Sequence, residues 1–296
     1  MILLSSLFRF RLFLLIIFSL ILNKNSFSQQ NKIIITAEKV VYKKIDSTLL
    51  NLHIYKPLNF HKDSIYNCIV FFHGGGWNNG SPKMFKRQSM YFASRGMIAI
   101  AAEYRIKNKH NTTPFEAVED AKSAIRYVRE NAKELNINPN MIVAGGGSAG
   151  GHLAAACGNI EGLDNPKENL KISSVPNALV LLNPVIDNGP NAFGYQRFRN
   201  RYKEISPIHN ISKGAPPTII LIGTKDKIIP VSTVKNYQTN MKTVGSRCEL
   251  VLYKDVGHAF FAKPPLKYFI ETTLEIDLFL NSLSYISGSP TINKQY

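Results

Sequence analysis

From residue 33 onward the chain carries two kinds of apolar pattern, and their alternation predicts its architecture. Leu50, Leu52 and Ile54 interleave with Asn51 and His53, the period of two expected of a strand with one buried face. With 33–44 on the other side of the polar turn Asp46-Ser47, the segment 49–55 predicts a hairpin. Farther on the strands change character. Ile69-Val70-Phe71-Phe72 and the segments 97–102, 141–144, 178–182, 218–222 and 249–253 are apolar almost without interruption, as strands inside a parallel sheet are. Between them the period lengthens. Phe115, Val118, Ala121, Ile125, Val128, Ala132 and Leu135 fall on one helical face. Ser81-Pro82 and Thr113-Pro114 supply N-cap and N1 residues, and 149–158, 231–244 and 266–283 predict further helices. Strand alternating with helix gives an α/β fold: a mostly parallel central sheet with helices on both faces and an antiparallel hairpin at one edge. The stretch 183–217 is too long for a plain connection and predicts a cap or substrate-facing insertion. The polar tail, 287–296, is expected to be loose.

The first 28 residues follow a different logic. Arg9 and Arg11 precede an apolar run, 12–22, which Asn23-Lys24-Asn25 ends, and Ser26-Phe27-Ser28 offers small residues for cleavage. That order predicts a signal peptide over 1–28 and an exported protein, periplasmic or secreted. A bilayer span takes about 20 apolar residues, so membrane contact is expected through this segment alone. One domain over 29–286 remains, long enough for a well-buried core. Lys and Arg number 36 against 20 Asp and Glu; the leader holds three of the basic residues and no acid, which leaves 33 against 20, or +13. This charge is spread along the chain without a nucleic-acid-binding motif, so it reads as solvated basic surface and excludes nucleic acid as the expected partner. Cys68, Cys157 and Cys248 are scattered, with no CxxC or Cys/His cluster, which predicts buried thiols and no metal site.

The chemistry concentrates at strand ends. Gly146-Gly147-Ser148-Ala149-Gly150 fits G-x-S-x-G between an apolar strand and a helix, the setting of a nucleophile elbow. A strained strand-to-helix turn exposes the serine there, and small neighbours let strand and helix approach. His73-Gly74-Gly75-Gly76 follows the strand ending at Phe72, 75 residues before Ser148. An attacked ester carbonyl becomes an oxyanion that needs N–H donors, and the backbone N–H groups of Gly74, Gly75 and Ala149 are the expected ones. The serine needs a base, and the base an orienting carboxylate. His258 and Asp226 each follow a predicted strand, on the side of a parallel sheet where sites gather. Their chain order, Ser148, Asp226, His258, is the one this chemistry takes on such a sheet. Asp255 is the second choice of acid. His73 and His152 read as structural braces. Trp77 and Tyr195 are candidate substrate-binding residues, with a packing role as the alternative for each. Ser/His/Asp chemistry requires neither metal nor organic cofactor.

On these residues the chain resembles the α/β-hydrolase superfamily from about 40 to 283. His73-Gly74-Gly75-Gly76-Trp77, Tyr104-Arg105, 115–120 and 147–153 look like the HGGG-bearing esterases, a group spanning hormone-sensitive-lipase-like carboxylesterases and exported bacterial acetylxylan and feruloyl esterases. Gly147 stands where the lipase-like members often carry Asp, and 215–230 looks most like the carbohydrate esterases. The resemblance implies an α/β-hydrolase fold and a serine esterase acting on a small-molecule or polysaccharide ester, such as acetyl or feruloyl xylan. A small-acyl carboxylesterase or lipase, a prolyl-oligopeptidase-like peptidase and a non-catalytic binding protein remain as alternatives.

Overall fold

Uninterrupted apolar runs must be buried on both faces, and the sheet is built accordingly. The computed structural model describes residues 35–292; the expected signal peptide, 1–28, lies outside the described residues. Strands β1 (Glu38–Ile45) and β2 (Thr48–Tyr55) form the hairpin, and β2 pairs antiparallel with β4 (Ile98–Ala102). From there β3 (Tyr66–Phe72), β5 (Ile137–Gly147), β6 (Ala178–Leu182), β7 (Thr218–Gly223) and β8 (Cys248–Tyr253) continue in parallel. The order is β1-β2-β4-β3-β5-β6-β7-β8. All residues of β4, β6 and β7 are buried, whereas β2 at the hairpin alternates buried and half-buried positions along Leu50–Ile54. Helices α1 (Lys86–Ser94), α2 (Pro114–Glu130), α3 (Ala149–Asn159), α4 (Val231–Thr243) and α5 (Lys267–Ser282) connect or follow the strands. The expected α/β architecture is therefore the one observed. Cys68, Cys157 and Cys248 are free, buried thiols.

Local chemistry sets the helix ends. Thr113 and Glu116 form a reciprocal capping box ahead of Pro114 at the start of α2. The apolar face predicted that α2 would run to Leu135, but it stops at Glu130. Asn131 ends it, its side-chain amide and its backbone N–H both donating to the Tyr127 carbonyl. Strand β5 starts at Ile137, earlier than its apolar run. Asn138-Pro139-Asn140 is absorbed by an irregularity in which the pairing jumps from Tyr66↔Ile137 to Cys68↔Ile142; proline, lacking an N–H, is tolerated in a strand at such a place.

Buried charge ties the outer elements down. Asp120 is fully buried and receives Arg105 Nε and Nη2 at 2.8 Å each, the Arg105 backbone N–H at 2.9 Å and Lys43 Nζ at 2.8 Å. Asp277, in α5, accepts from Tyr91 Oη at 2.5 Å and Arg95 Nε at 2.7 Å, both on or beside α1. The described part of the tail makes contacts with the body of the domain. Arg95 Nη2 donates to the carbonyls of Ser287 and Gly288, and the Thr291 N–H donates to Tyr91 Oη. An Arg side chain already held by a buried carboxylate is a ready donor for passing carbonyls. Residues 293–296 lie outside the described residues. Among the described residues no helix is long and apolar enough to cross a membrane.

Candidate active site

Strand β5 ends at Gly147 and α3 begins at Ala149, so Ser148 is the whole turn between them. Its backbone sits at φ 55°, ψ −119°, a region that side chains other than glycine's rarely occupy. The turn closes because Gly150 has no Cβ: one built there would lie 2.0 Å from the Phe72 carbonyl oxygen at the end of β3. The strain lifts the Ser148 hydroxyl off the sheet's carboxyl edge, where the loops after β7 and β8 converge.

Those loops bring the two other groups. His258 Nε2 lies 2.9 Å from Ser148 Oγ, and His258 Nδ1 lies 2.7 Å from Asp226 Oδ2. The Asp226 side chain is fully buried and that of His258 is 17% exposed. A carboxylate only accepts, so Nδ1 carries the proton and Nε2 is left to accept from the serine. Burial acts to raise the Asp226 pKa, but hydrogen bonds from His258 and from the N–H groups of Ile229 and Ile228 outweigh it, and the carboxyl is held below its ordinary value. Asp255 is not part of this line; it is exposed and pairs with Lys225.

Asn183 was not anticipated. It follows β6, is fully buried, accepts the Ala259 N–H at 3.2 Å and places its amide nitrogen 3.4 Å from His258 Nε2. Nothing in its local sequence distinguishes it from an ordinary loop asparagine.

The glycine loop lies at the site: Gly74, Gly75 and Gly76 all line the pocket that holds Ser148. The Gly74 N–H, one of the three expected oxyanion donors, donates to Met84 Sδ at 3.2 Å. Ala149 stands at the first position of α3, where an N–H has no intrahelical acceptor. Gly75 adopts φ +122°, and a Cβ there would lie 2.1 Å from the Asn79 carbonyl oxygen. The loop is braced as expected. His73 Nδ1 bonds the Gly74 carbonyl at 2.7 Å, its ring stacks on Tyr104, and Tyr104 Oη donates to the His73 carbonyl at 2.8 Å. Burial pushes the His73 pKa down to about 4.

The two expected substrate-binding aromatics fall elsewhere. Trp77 is 1% exposed and does not reach the pocket. Its backbone stands at φ 59°, and its ring packs between His152, Phe193 and Phe198. Tyr195, on a single helical turn (Tyr195–Phe198), borders a separate ≈ 380 Å³ depression with Pro190, Asn191 and Arg197. Phe193 takes the place given to both, lining a ≈ 230 Å³ pocket with Met84, Ile228 and Phe261 around Ser148 and His258. The insertion that carries it is fixed from below, where His152 Nε2 bonds the Ile205 carbonyl at 2.7 Å. Among the described residues no group of three His, Cys, Asp or Glu side chains is placed to hold a metal ion.

The chain is similar to known esterases. The BD-FAE family matches residues 52–193, and the dienelactone hydrolase family matches residues 187–273. Esterase 2 of Thermogutta terrifontis is 42% identical in its tabun-phosphoramylated structure, with a TM-score of 0.83 covering 86% of this chain and 97% of that one. The same enzyme has been solved with propionate bound, again at 42% identity and with a TM-score of 0.82 over 86% of this chain and 97% of that one. Acetylxylan esterase of Xylanibacter ruminicola is 27% identical over 232 residues, 73% of this chain and 45% of that protein. Isoprenylcysteine alpha-carbonyl methylesterase of Arabidopsis thaliana is 27% identical over 251 residues, 73% of this chain and 55% of that protein. The chain thus spans about half the length of the curated relatives it matches.

Proposed function

The chain belongs to the α/β-hydrolase superfamily, among its esterases, and on that footing we propose that it hydrolyses carboxylic esters with Ser148 as nucleophile, His258 as general base and acid, and Asp226 as the group that orients and charges against the imidazole. The observation that carries the reading is the unbroken line Asp226–His258–Ser148, at 2.7 and 2.9 Å, ending on a strained serine. In the first half, Ser148 Oγ bonds to the ester carbonyl carbon as its proton passes to His258 Nε2. The oxyanion is taken by the amides of Gly75, Gly76 and Ala149. The carbon–oxygen bond to the alcohol then breaks, and His258 returns the proton to that oxygen. In the second half water repeats the sequence on the acyl-enzyme and frees the acid and Ser148.

For the acyl group we propose a short chain, foremost acetyl, because the pocket is small and mostly apolar and the Thermogutta enzyme has been solved with propionate and with butyrate bound. For the alcohol we propose a carbohydrate, supported by the acetylxylan esterase relative. The leader-like residues 1–28 support a place of work outside the cytoplasm. The test is a panel of p-nitrophenyl acetate, acetylated xylan, feruloyl esters and peptide amides. Wild-type protein is expected to cleave the acetyl esters, and Ser148→Ala to lose on the order of 10⁴-fold or more in kcat. Undiminished turnover in Ser148→Ala refutes the nucleophile, and preference for amides refutes the esterase.

A further inference from the structure

Two cavities meet at one pair of side chains. Met84 and Phe261 border the ≈ 230 Å³ Ser148 pocket and also a ≈ 660 Å³ chamber lined by Lys83, Lys86, Arg87 and Lys263. Both side chains are held in place. The Phe261 ring is 2% exposed and stacks on Phe85 with centroids 5.7 Å apart; Phe85 stacks in turn on Phe71 of β3 at 4.7 Å. This column of rings reaches the pocket because residue 147 is glycine, since a Cβ there would lie 2.4 Å from Phe261 Cζ. Met84 is pinned by the Gly74 N–H on its sulfur. The departure at Gly147 noted in the sequence thus has a spatial counterpart: the room an Asp side chain would need is filled by an aromatic ring from the loop after His258.

Resting on Ser148 as the nucleophile, we propose that Met84 and Phe261 form the wall that sets acyl chain length, and that the chamber behind them is the space a longer chain enters once the wall is removed. The side of the pocket follows from the chemistry. The alcohol must leave toward His258 Nε2, which protonates it, whereas the acyl chain stays on Ser148. Phe261 lies against Gly147, the residue bonded to Ser148, and Met84 lies against Gly74. The ring end therefore blocks the path of the group that remains attached.

Two variants of the full chain test this, Phe261→Ala and Met84→Ala, each assayed on p-nitrophenyl acetate, butyrate and octanoate and on acetates of ethyl to octyl alcohols. A newly buried methylene is worth about four-fold in kcat/KM. The octanoate-to-acetate ratio is expected to rise about ten-fold or more in Phe261→Ala and to rise in Met84→Ala, while the alcohol series keeps its wild-type slope. A ratio is insensitive to the amount of folded protein, so partial unfolding does not imitate the result. Unchanged ratios in both variants overturn the proposal, as does a shift confined to the alcohol series. If wild-type protein cleaves none of the esters, or Ser148→Ala cleaves them equally well, the esterase reading itself fails and the wall with it; active wild type with unmoved ratios removes the wall alone.

Discussion

Lowering the pH from 7 to 5 is expected to destabilise this protein through two buried histidines. His152 is fully buried; its Nε2 bonds the Ile205 carbonyl and therefore carries the proton, while its Nδ1 has no hydrogen-bond partner among the described residues and stands edge-on to Trp77. Burial lowers its pKa from the ordinary 6.5 to about 4, and does the same for His73. Such a histidine takes up a proton in the unfolded chain well before it does so in the folded one. Stability is therefore fully present above the unfolded value and is lost as the pH falls from 6.5 toward 4. Between pH 7 and 5 the linkage amounts to about 2 kcal/mol for each histidine and about 4 for the pair, a large share of the roughly 5–15 kcal/mol that holds a domain folded. Urea unfolding followed by the fluorescence of the single tryptophan, Trp77, measures it at both pH values. His152→Gln keeps a donor for the Ile205 carbonyl without the titration, and its drop in stability should be smaller by about 2 kcal/mol. General charge repulsion acts on both proteins alike, so the difference isolates the histidine. Equal stability at pH 7 and 5, or the full drop surviving in His152→Gln, refutes the reasoning.

Other perturbations follow from the same contacts. Asp226→Asn offers an N–H to His258 Nδ1 and favours the tautomer that cannot accept from Ser148, so kcat on p-nitrophenyl acetate should fall on the order of 10³- to 10⁴-fold with little change in melting temperature. Gly150→Ala drives a Cβ into the Phe72 carbonyl at 2.0 Å; loss of soluble protein or a sharply lowered melting temperature is expected, and normal stability would show that the elbow is looser than described. Asp120→Ala leaves Arg105 and Lys43 around an empty buried position and should cost about 3–5 kcal/mol, measured by denaturant unfolding at pH 7.

Period and composition made most of the fold legible because both faces of the central strands are apolar and α2 carries one apolar face. Where the reading slipped, longer-range contacts decided. An apolar periodicity carried α2 on to Leu135, but it could not register the Asn131 amide that caps the helix at Tyr127. The polar tail is met by Arg95 through its carbonyls rather than its side chains. The candidate site shows the same division. Ser148, Asp226 and His258 stood out because each follows a strand on the edge where a parallel sheet gathers its loops. The Gly74 N–H is engaged by a methionine ten residues away in the chain, and Trp77 is enclosed by His152, Phe193 and Phe198. Neither residue type nor spacing carries that information.

The backbone of Ser148 has an evolutionary consequence. At φ 55°, ψ −119° the position costs about 1–3 kcal/mol for any residue with a side chain, and glycine alone would relax it. A population selected for folding alone would drift toward Ser148→Gly, gaining stability as it lost the hydroxyl that stands 2.9 Å from His258. On the proposed mechanism, serine at this position is a running record of selection for turnover, and a relative with glycine there would have kept the scaffold and given up the reaction.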